Sequence, residues 1–292
     1  MEFLSYLISG ISLGSIYAII ALGYTMVYGI AKMLNFAHGD IIMIGGYVSF
    51  CSMYYLNLPP IVATLLAVIA CTVLGIVIER LAYAPLRSAP SLAVLITAIG
   101  VSYFLQNSAL LIWKAAAKTY PPVVAGAVQL FNGQLTISYI SLLTIAACIV
   151  IMLALTTFVS KSKMGKAMRA CSEDKGAAQL MGINVNRVIS LVFLIGPGLG
   201  GVAGIMVGIY YGQIDFLMGW SYGLKAFIAA ILGGIGNIPG AMIGGLILGV
   251  SEALASAYIA VAWKDVVAFL VLILILIIRP TGLLGERTAD KL

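Results

Sequence analysis

The sequence predicts an all-α protein: a polytopic transmembrane helical bundle of about eight helices, some of them glycine-broken half-helices. Three observations carry that expectation. Hydrophobic residues make up 62% of the chain and charged residues only 9%, against roughly 45–50% apolar content in an ordinary soluble domain. The mean hydropathy is +1.12. Apolar runs long enough to cross a hydrocarbon core about 30 Å thick recur along the whole chain.

Taken in order, the runs cover 6 to 28, 37 to 57, 59 to 79, 91 to 113, 138 to 159, 188 to 211 and 262 to 278, each close to the ~20 residues of one helical crossing. The stretch MEFLSYLISG carries Glu2 and no Lys or Arg, and its apolar run continues to Tyr28. The first span is therefore expected to stay in the mature chain rather than act as a cleaved signal. Gly200, Gly204, Gly208 and Gly212 repeat every fourth residue, as do Gly236, Gly240 and Gly244, and such faces let helix backbones approach closely. Pro197, between Gly196 and Gly198, predicts a kink.

Charge sets the orientation. The net charge of +6 is the basic excess of cytoplasmic loops and gives no reason to expect nucleic acid as a partner. With residues 160 to 187 cytoplasmic, the inner side receives Lys32, Arg80, Arg87, Lys161, Lys163, Lys166, Arg169, Lys175, Arg187, Arg279, Arg287 and Lys291, and only Lys114, Lys118, Lys225 and Lys264 stay outside. This places the N-terminus outside and the C-terminus inside. Residues 212 to 261 must then cross an even number of times. YGLKAFIAAILGG is short for a crossing, whereas GAMIGGLILGVSEALASAY is nearly long enough. The expected structure is a half-helix descending from outside, a turn at Asn237 to Gly240, and a returning helix. Irregular backbone at membrane depth survives only packed in protein or lining a wet cavity, so that turn is a candidate pathway lining.

Few polar groups are available for chemistry. The only histidine lies in LNFAHGDIIMIGG, 34 to 46, with Asn35, Gly39 and Asp40 around His38. Three readings are open. Asn35 or Asp40 caps a helix N-terminus, with His38 at the interface near Lys32; His38 and Asp40 form a proton relay, although one His beside one Asp gives no chain across a membrane; or the turn is a wall of a gated pathway. The order Asn, turn, Gly, MIGG returns at 237 to 249, and paired glycine-broken segments point to a transport site. Glu252 is expected to pair with Lys225 or Lys264. The alternation in AVQLFNGQLTIS, 127 to 138, predicts a hairpin around Asn132 and Gly133. Cys51, Cys71, Cys148 and Cys171 form no CxxC pair, so neither a metal site nor a disulfide framework is expected. No catalytic motif such as HExxH or GxSxG occurs.

Four long stretches carry a family resemblance: SLGSIYAIIALGYTMVYGIAKMLNFAHGDIIMIGGY (12 to 47), ERLAYAPLRSAPSLAVLITAIGVSYFLQN (79 to 107), GKAMRACSEDKGAAQLMGINVNRV (165 to 188) and AFIAAILGGIGNIPGAMIGGLILGVSE (226 to 252). In that order they resemble the LivH-type branched-chain amino-acid permeases, membrane subunits of ATP-binding-cassette importers. The resemblance implies a single transmembrane permease domain over 1 to 292, of the ABC importer permease type, in a bacterial-type inner membrane. It implies as partners a second homologous permease subunit, two cytoplasmic ATPase subunits and a periplasmic or extracellular amino-acid-binding protein. Family substrates are leucine, isoleucine and valine, with relatives carrying other amino acids, amides or urea. Lys32 and RACSEDKGAAQLMGI depart from the commoner family pattern.

No GxxxxGK[ST] loop occurs, and Gly165 with Lys166 lacks the upstream glycine and the following Ser or Thr. ATP and Mg are accordingly expected on the ATPase partners, with no cofactor on this chain. The loop 160 to 187 reads as a helix with Ala170, Ala177, Ala178, Leu180 and Met181 as contacts, Glu173 and Asp174 in its first turn and Gly182 at its end. By resemblance it is the coupling loop that docks on an ATPase, with Arg169 beside these residues. Asn35, His38, Gly39, Asp40, Asn237 and Gly240 are the candidate substrate pathway. The alternative is a secondary transporter driven by an ion gradient, drawing on Asp40, His38 and Glu252.

Overall fold

Long apolar stretches separated by short polar or glycine-rich breaks fold as long helices joined by tight turns. The computed structural model describes residues 2–33, 35–87, 89–130 and 135–285. Its elements in chain order are α1 (Glu2–Ala31), α2 (His38–Tyr54), α3 (Pro60–Ile78), α4 (Ser91–Trp113), β1 (Lys118–Thr119), β2 (Ala127–Leu130), β3 (Leu135–Ser138), α5 (Tyr139–Lys161), α6 (Lys163–Glu173), α7 (Lys175–Leu180), α8 (Val185–Tyr211), β4 (Gln213–Ile214), α9 (Met218–Gly233), α10 (Ile238–Tyr258) and α11 (Lys264–Ile278). A π-helical turn, Glu79–Tyr83, and a 3-10 turn, Ala84–Leu86, prolong α3.

Among the described residues, seven helical stretches are long and apolar enough to cross a membrane. Six match the runs read from the sequence, and the seventh is α10. The run at 37 to 57 folds as the 17-residue α2, about 25 Å long at 1.5 Å per residue and shorter than these seven. The 16-residue α9 is the expected short helix of the glycine-broken region.

The chain divides into two compact units, one of Met1–Thr25, Gly126–Thr156 and Lys225–Leu292, the other of Met26–Ala125 and Thr157–Leu224. In the first, α1 and α10 pack backbone to backbone. A Cβ on Gly14 would lie 2.7 Å from Leu246 Cα, and one on Gly245 would lie 2.5 Å from Ala18 N, so no side chain fits between these helices. The turn joining α9 to α10 occupies 234 to 237, and Asn237 caps α10 by accepting a hydrogen bond from Gly240 N at 2.9 Å. Gly240 therefore lies inside the first turn of α10, and Gly236 turns the chain at φ +100° instead of joining a packing stripe. The expected hairpin is present as antiparallel β2 and β3, pairing Ala127 with Ser138 and Leu130 with Leu135; Asn132 and Gly133 lie outside the described residues.

In the second unit α8 packs on both α2 and α3. A Cβ on Gly204 would lie 2.7 Å from Gly46 N, and one on Gly45 would lie 2.8 Å from Gly201 Cα. The helix is continuous from Val185 through Pro197 to Tyr211, and the Pro197 ring occupies the space left by Gly75. Gly212 ends α8 in the left-handed conformation at φ +66°, a position that glycine fills without strain. Tyr120 closes this end: its N–H donates to Gly212 O at 2.9 Å and its hydroxyl shares a 2.7 Å hydrogen bond with Ser49. Burial pushes the Tyr120 phenol up to about 12 against the opposing effect of that bond.

Candidate functional site: the α2 entrance and the α6–α7 loop

The polar group around the histidine is a buried junction. Asn35, His38 and Asp40 are 2%, 0% and 1% exposed. Ala37 occupies the N-cap of α2 and no side chain caps that end, which corrects the capping reading. The reason is that both polar side chains have partners elsewhere in the unit. Asn35 Oδ1 accepts from the Tyr83 hydroxyl at 2.8 Å, and Tyr83 is carried by the π-helical turn after α3, with its ring 5.2 Å from that of Phe193 on α8. Asp40 reaches α4, where Ser102 Oγ donates to Oδ2 and Gln106 Nε2 donates to Oδ1 at 3.1 Å. Both donors are neutral. Gly39 brings the backbone of α2 against the start of α9, since a Cβ on Gly219 would lie 2.6 Å from Gly39 O.

A second polar junction lies at the end of the same long α3 run. Glu79, 1% exposed, pairs with Arg87, which also binds Asn186 on α8. Its other oxygen accepts from Ser190 Oγ at 3.2 Å. Sequence reasoning placed Arg87 among cytoplasmic charges but found no role for Glu79, Tyr83, Ser102 or Gln106. The spacing of Ser102 and Gln106, one helical turn apart within an apolar run, was the available signal.

In the other unit Asn237 is used on both sides: it caps α10, and its Nδ2 donates to Leu284 O at 3.0 Å. Backbone bonds from Leu283 N to Leu232 O at 2.9 Å and from Leu284 N to Gly233 O at 3.0 Å complete this clasp. The broken turn is thus tied to the segment after α11. Glu252 pairs with Lys225, at 2.8 Å, and accepts from the Tyr17 hydroxyl at 2.9 Å. Lys225 also reaches Asp265 at 2.9 Å. Of the two lysines expected as partners, Lys225 is the one that binds.

The loop 160 to 187 contains two helices where the sequence reading has one. In α6, Gly165, Met168 and Cys171 face inward, and Glu173 ends the helix instead of opening the next. Asp174 is the N-cap of α7, accepting from Gly176 N at 2.8 Å and Ala177 N at 3.0 Å. After α7, Gly182 at φ +81° closes a Schellman turn, with Gly182 N bonded to Gln179 O and Ile183 N to Ala178 O. This clamp leaves Leu180 and Met181 90% and 82% exposed. Ala177 and Arg169 are also exposed, whereas Ala178 is buried against the unit. Cys171 is buried in this packing, and burial raises its thiol pKa against the opposing effect of Lys175.

A family model for the permease component of branched-chain amino acid transport systems matches residues 6–276. The chain is a member of that permease family. The high-affinity branched-chain amino acid transport system permease protein LivH of Salmonella typhimurium is 48% identical, over 100% of this chain and 98% of the relative. The corresponding BraD of Pseudomonas aeruginosa is 45% identical over 99% and 98%. PsaBC from Streptococcus pneumoniae, solved in complex with a Fab, shares the fold with a TM-score of 0.50 at 15% identity, covering 96% of this chain and 93% of that one. Seven candidate spans and this membership make the permease a multi-pass membrane protein. Among its described residues no group of three His, Cys, Asp or Glu side chains is placed to hold a metal ion.

Proposed function

We propose that this permease is the membrane-spanning subunit of an ATP-driven ABC importer that moves branched-chain or closely related amino acids across a bacterial-type inner membrane into the cytoplasm. Family membership supplies the substrate class, through the branched-chain amino acid transport of the LivH and BraD relatives. The observation in the chain itself that carries the reading is α7. Two large apolar side chains, Leu180 and Met181, stand almost fully exposed on a short helix fixed at both ends. Such a knob has no reason to face water and fits a groove on a partner. The partner is an ATPase, two copies of which hold ATP and Mg, while a second permease and an external binding protein complete the assembly. Closure of the ATPase pair moves the docked loop and rocks the permease bundle.

Asn35, His38, Gly39 and Asp40 in one unit are read as wall and packing groups of a pathway, and Asn237 and Gly240, taken by themselves in the other unit, as the same kind of group. Both Asp40 oxygens are occupied by neutral donors, and Asn237 is committed to a helix cap and to Leu284. Family membership is what disfavours an ion-gradient mechanism. Glu252, its remaining carboxylate, is paired with Lys225.

The test is leucine uptake by cells expressing the transport system, under ATP depletion with the membrane potential maintained and, separately, under a protonophore with ATP maintained. Uptake should stop only in the first case. A Leu180→Glu, Met181→Glu double variant should abolish both uptake and co-purification of an ATPase. Uptake that survives ATP depletion and stops with the protonophore would overturn the proposal.

A further inference from the structure

Beside the end of α1, the second unit contains a cavity of about 420 Å³, within the range of roughly 300–1,000 Å³ common to small-ligand sites. Three cations line it: Lys32, Arg87 and Lys175. Tyr28, Leu92 and Leu95 supply apolar wall, and the described lining contains no acidic side chain. Lys32 sits in the left-handed region at φ +55°, where the chain leaves α1. Lys175 Nζ donates to Ala31 O at 2.6 Å, close to the negative end of the α1 dipole. Arg87 is partly neutralised by Glu79, but its Nε is buried without a hydrogen bond. Opposite them α4 starts at Ser91 with no side-chain cap on its N-terminus, adding positive dipole to the same space.

Holding these charges together is costly. The Lys175 ammonium has its pKa lowered by burial first, then by Lys32, with Arg87 acting in the same direction. A compact anion between them would relieve that repulsion. The apolar wall asks in addition for a hydrocarbon body. All three cations belong to the set that charge bias assigns to the cytoplasmic side, and the cavity lies between the last turn of α1 and the first turn of α4, the level at which a spanning helix meets lipid headgroups.

We propose that this cavity binds a phosphate group, presented by the headgroup of an acidic phospholipid whose acyl chains run along Tyr28, Leu92 and Leu95. Basic pockets between helices at this level suit such headgroups. The lining includes neither Leu180 and Met181 nor Asn35, His38, Gly39 and Asp40, although Lys175 opens the same short helix α7.

The experiment is thermal unfolding of the full-length permease in neutral detergent, titrated with phosphatidylglycerol, phosphatidylcholine, inorganic phosphate or leucine. Phosphatidylglycerol should give a saturable stabilisation that phosphatidylcholine does not. Lys32→Asn, which tolerates the left-handed backbone, should weaken it about fivefold, and Lys175→Gln by a similar factor. Lys163→Gln, outside the cavity, should leave it unchanged. Stabilisation by millimolar inorganic phosphate alone, lost in Lys32→Asn, would support the phosphate site and move its source from lipid to solution. An equal phosphatidylglycerol response in wild type and Lys32→Asn would overturn the proposal, and so would competition by leucine, which would make the cavity part of the translocation route. Should Lys175→Gln fail to fold, Lys32→Asn alone decides.

Discussion

Asp40 shows how a single side chain holds a junction through neutral donors. Ser102 and Gln106 on α4 both donate to it, and an unpaired buried donor costs about 1–3 kcal/mol. Asp40→Leu orphans the Ser102 hydroxyl and leaves Gln106 Nε2 only Ser102 Oγ at 3.1 Å, whereas Asp40→Asn keeps one acceptor. Thermal unfolding should therefore show a clearly larger loss for Asp40→Leu than for Asp40→Asn, and equal losses would mean that the α2–α4 bridge contributes nothing. Tyr83→Phe removes the donor to Asn35 Oδ1 and should cost about 1 kcal/mol in the same measurement. The sequence made the grouping of Asn35, His38 and Asp40 visible, because a histidine and a carboxylate stand out in an apolar chain. It did not reveal their use. Their partners Tyr83, Ser102 and Gln106 come from elements 48, 62 and 66 residues away, and no local periodicity encodes such pairings.

Between elements, glycine decides which helices touch. On α8 a Cβ at Gly204 would press on Gly46 N and the Ile42 carbonyl of α2, backbone atoms that cannot swing aside. Gly100 on α4 has nothing within 4 Å of its would-be Cβ. Gly204→Ala should destabilise the protein by at least the ~1–3 kcal/mol of an overpacked core, while Gly100→Ala should be neutral or add about 0.5–1 kcal/mol from helix propensity; a comparison of unfolding midpoints distinguishes them. The fourfold glycine spacing made this face legible, except at Gly212 and Gly236, which turn the chain. Helix positions were legible to within a few residues because hydrophobic length fixes them. The break between α6 and α7 was not, since Asp174 reads equally well as an early residue of one longer helix. Only the hydrogen bonds to Gly176 N and Ala177 N identify it as a cap. Asp174→Ala should cost about 1 kcal/mol and loosen the α7 knob, reducing leucine uptake more than Asp174→Ser, which can still cap.

For the molecule as a whole, the crossing parity read from charge meets an independent constraint in the α9–α10 turn. Charge bias predicts that Arg279 and the segment after it lie inside. Leu283 N and Leu284 N bond to Leu232 O and Gly233 O, and Asn237 bonds to Leu284 O, so the turn at 234 to 237 is at the level of that segment. With that segment expected inside, α9, about 24 Å long by its residue count, is predicted to lead the chain inward, and the 21-residue α10 to carry it back. Reporter fusions that are active only outside the cytoplasm should be active after residues 116, 215 and 260 and silent after 87, 175, 235 and 283. The fusion at 235 is the decisive one. Activity there together with silence at 283 would contradict the clasp, and activity at both would reverse the orientation while leaving the clasp intact. Silence at both fixes α9 and α10 as a returning pair, and with it the even crossing count that places the basic loop of α6 and α7 on the side where an ATPase can reach it.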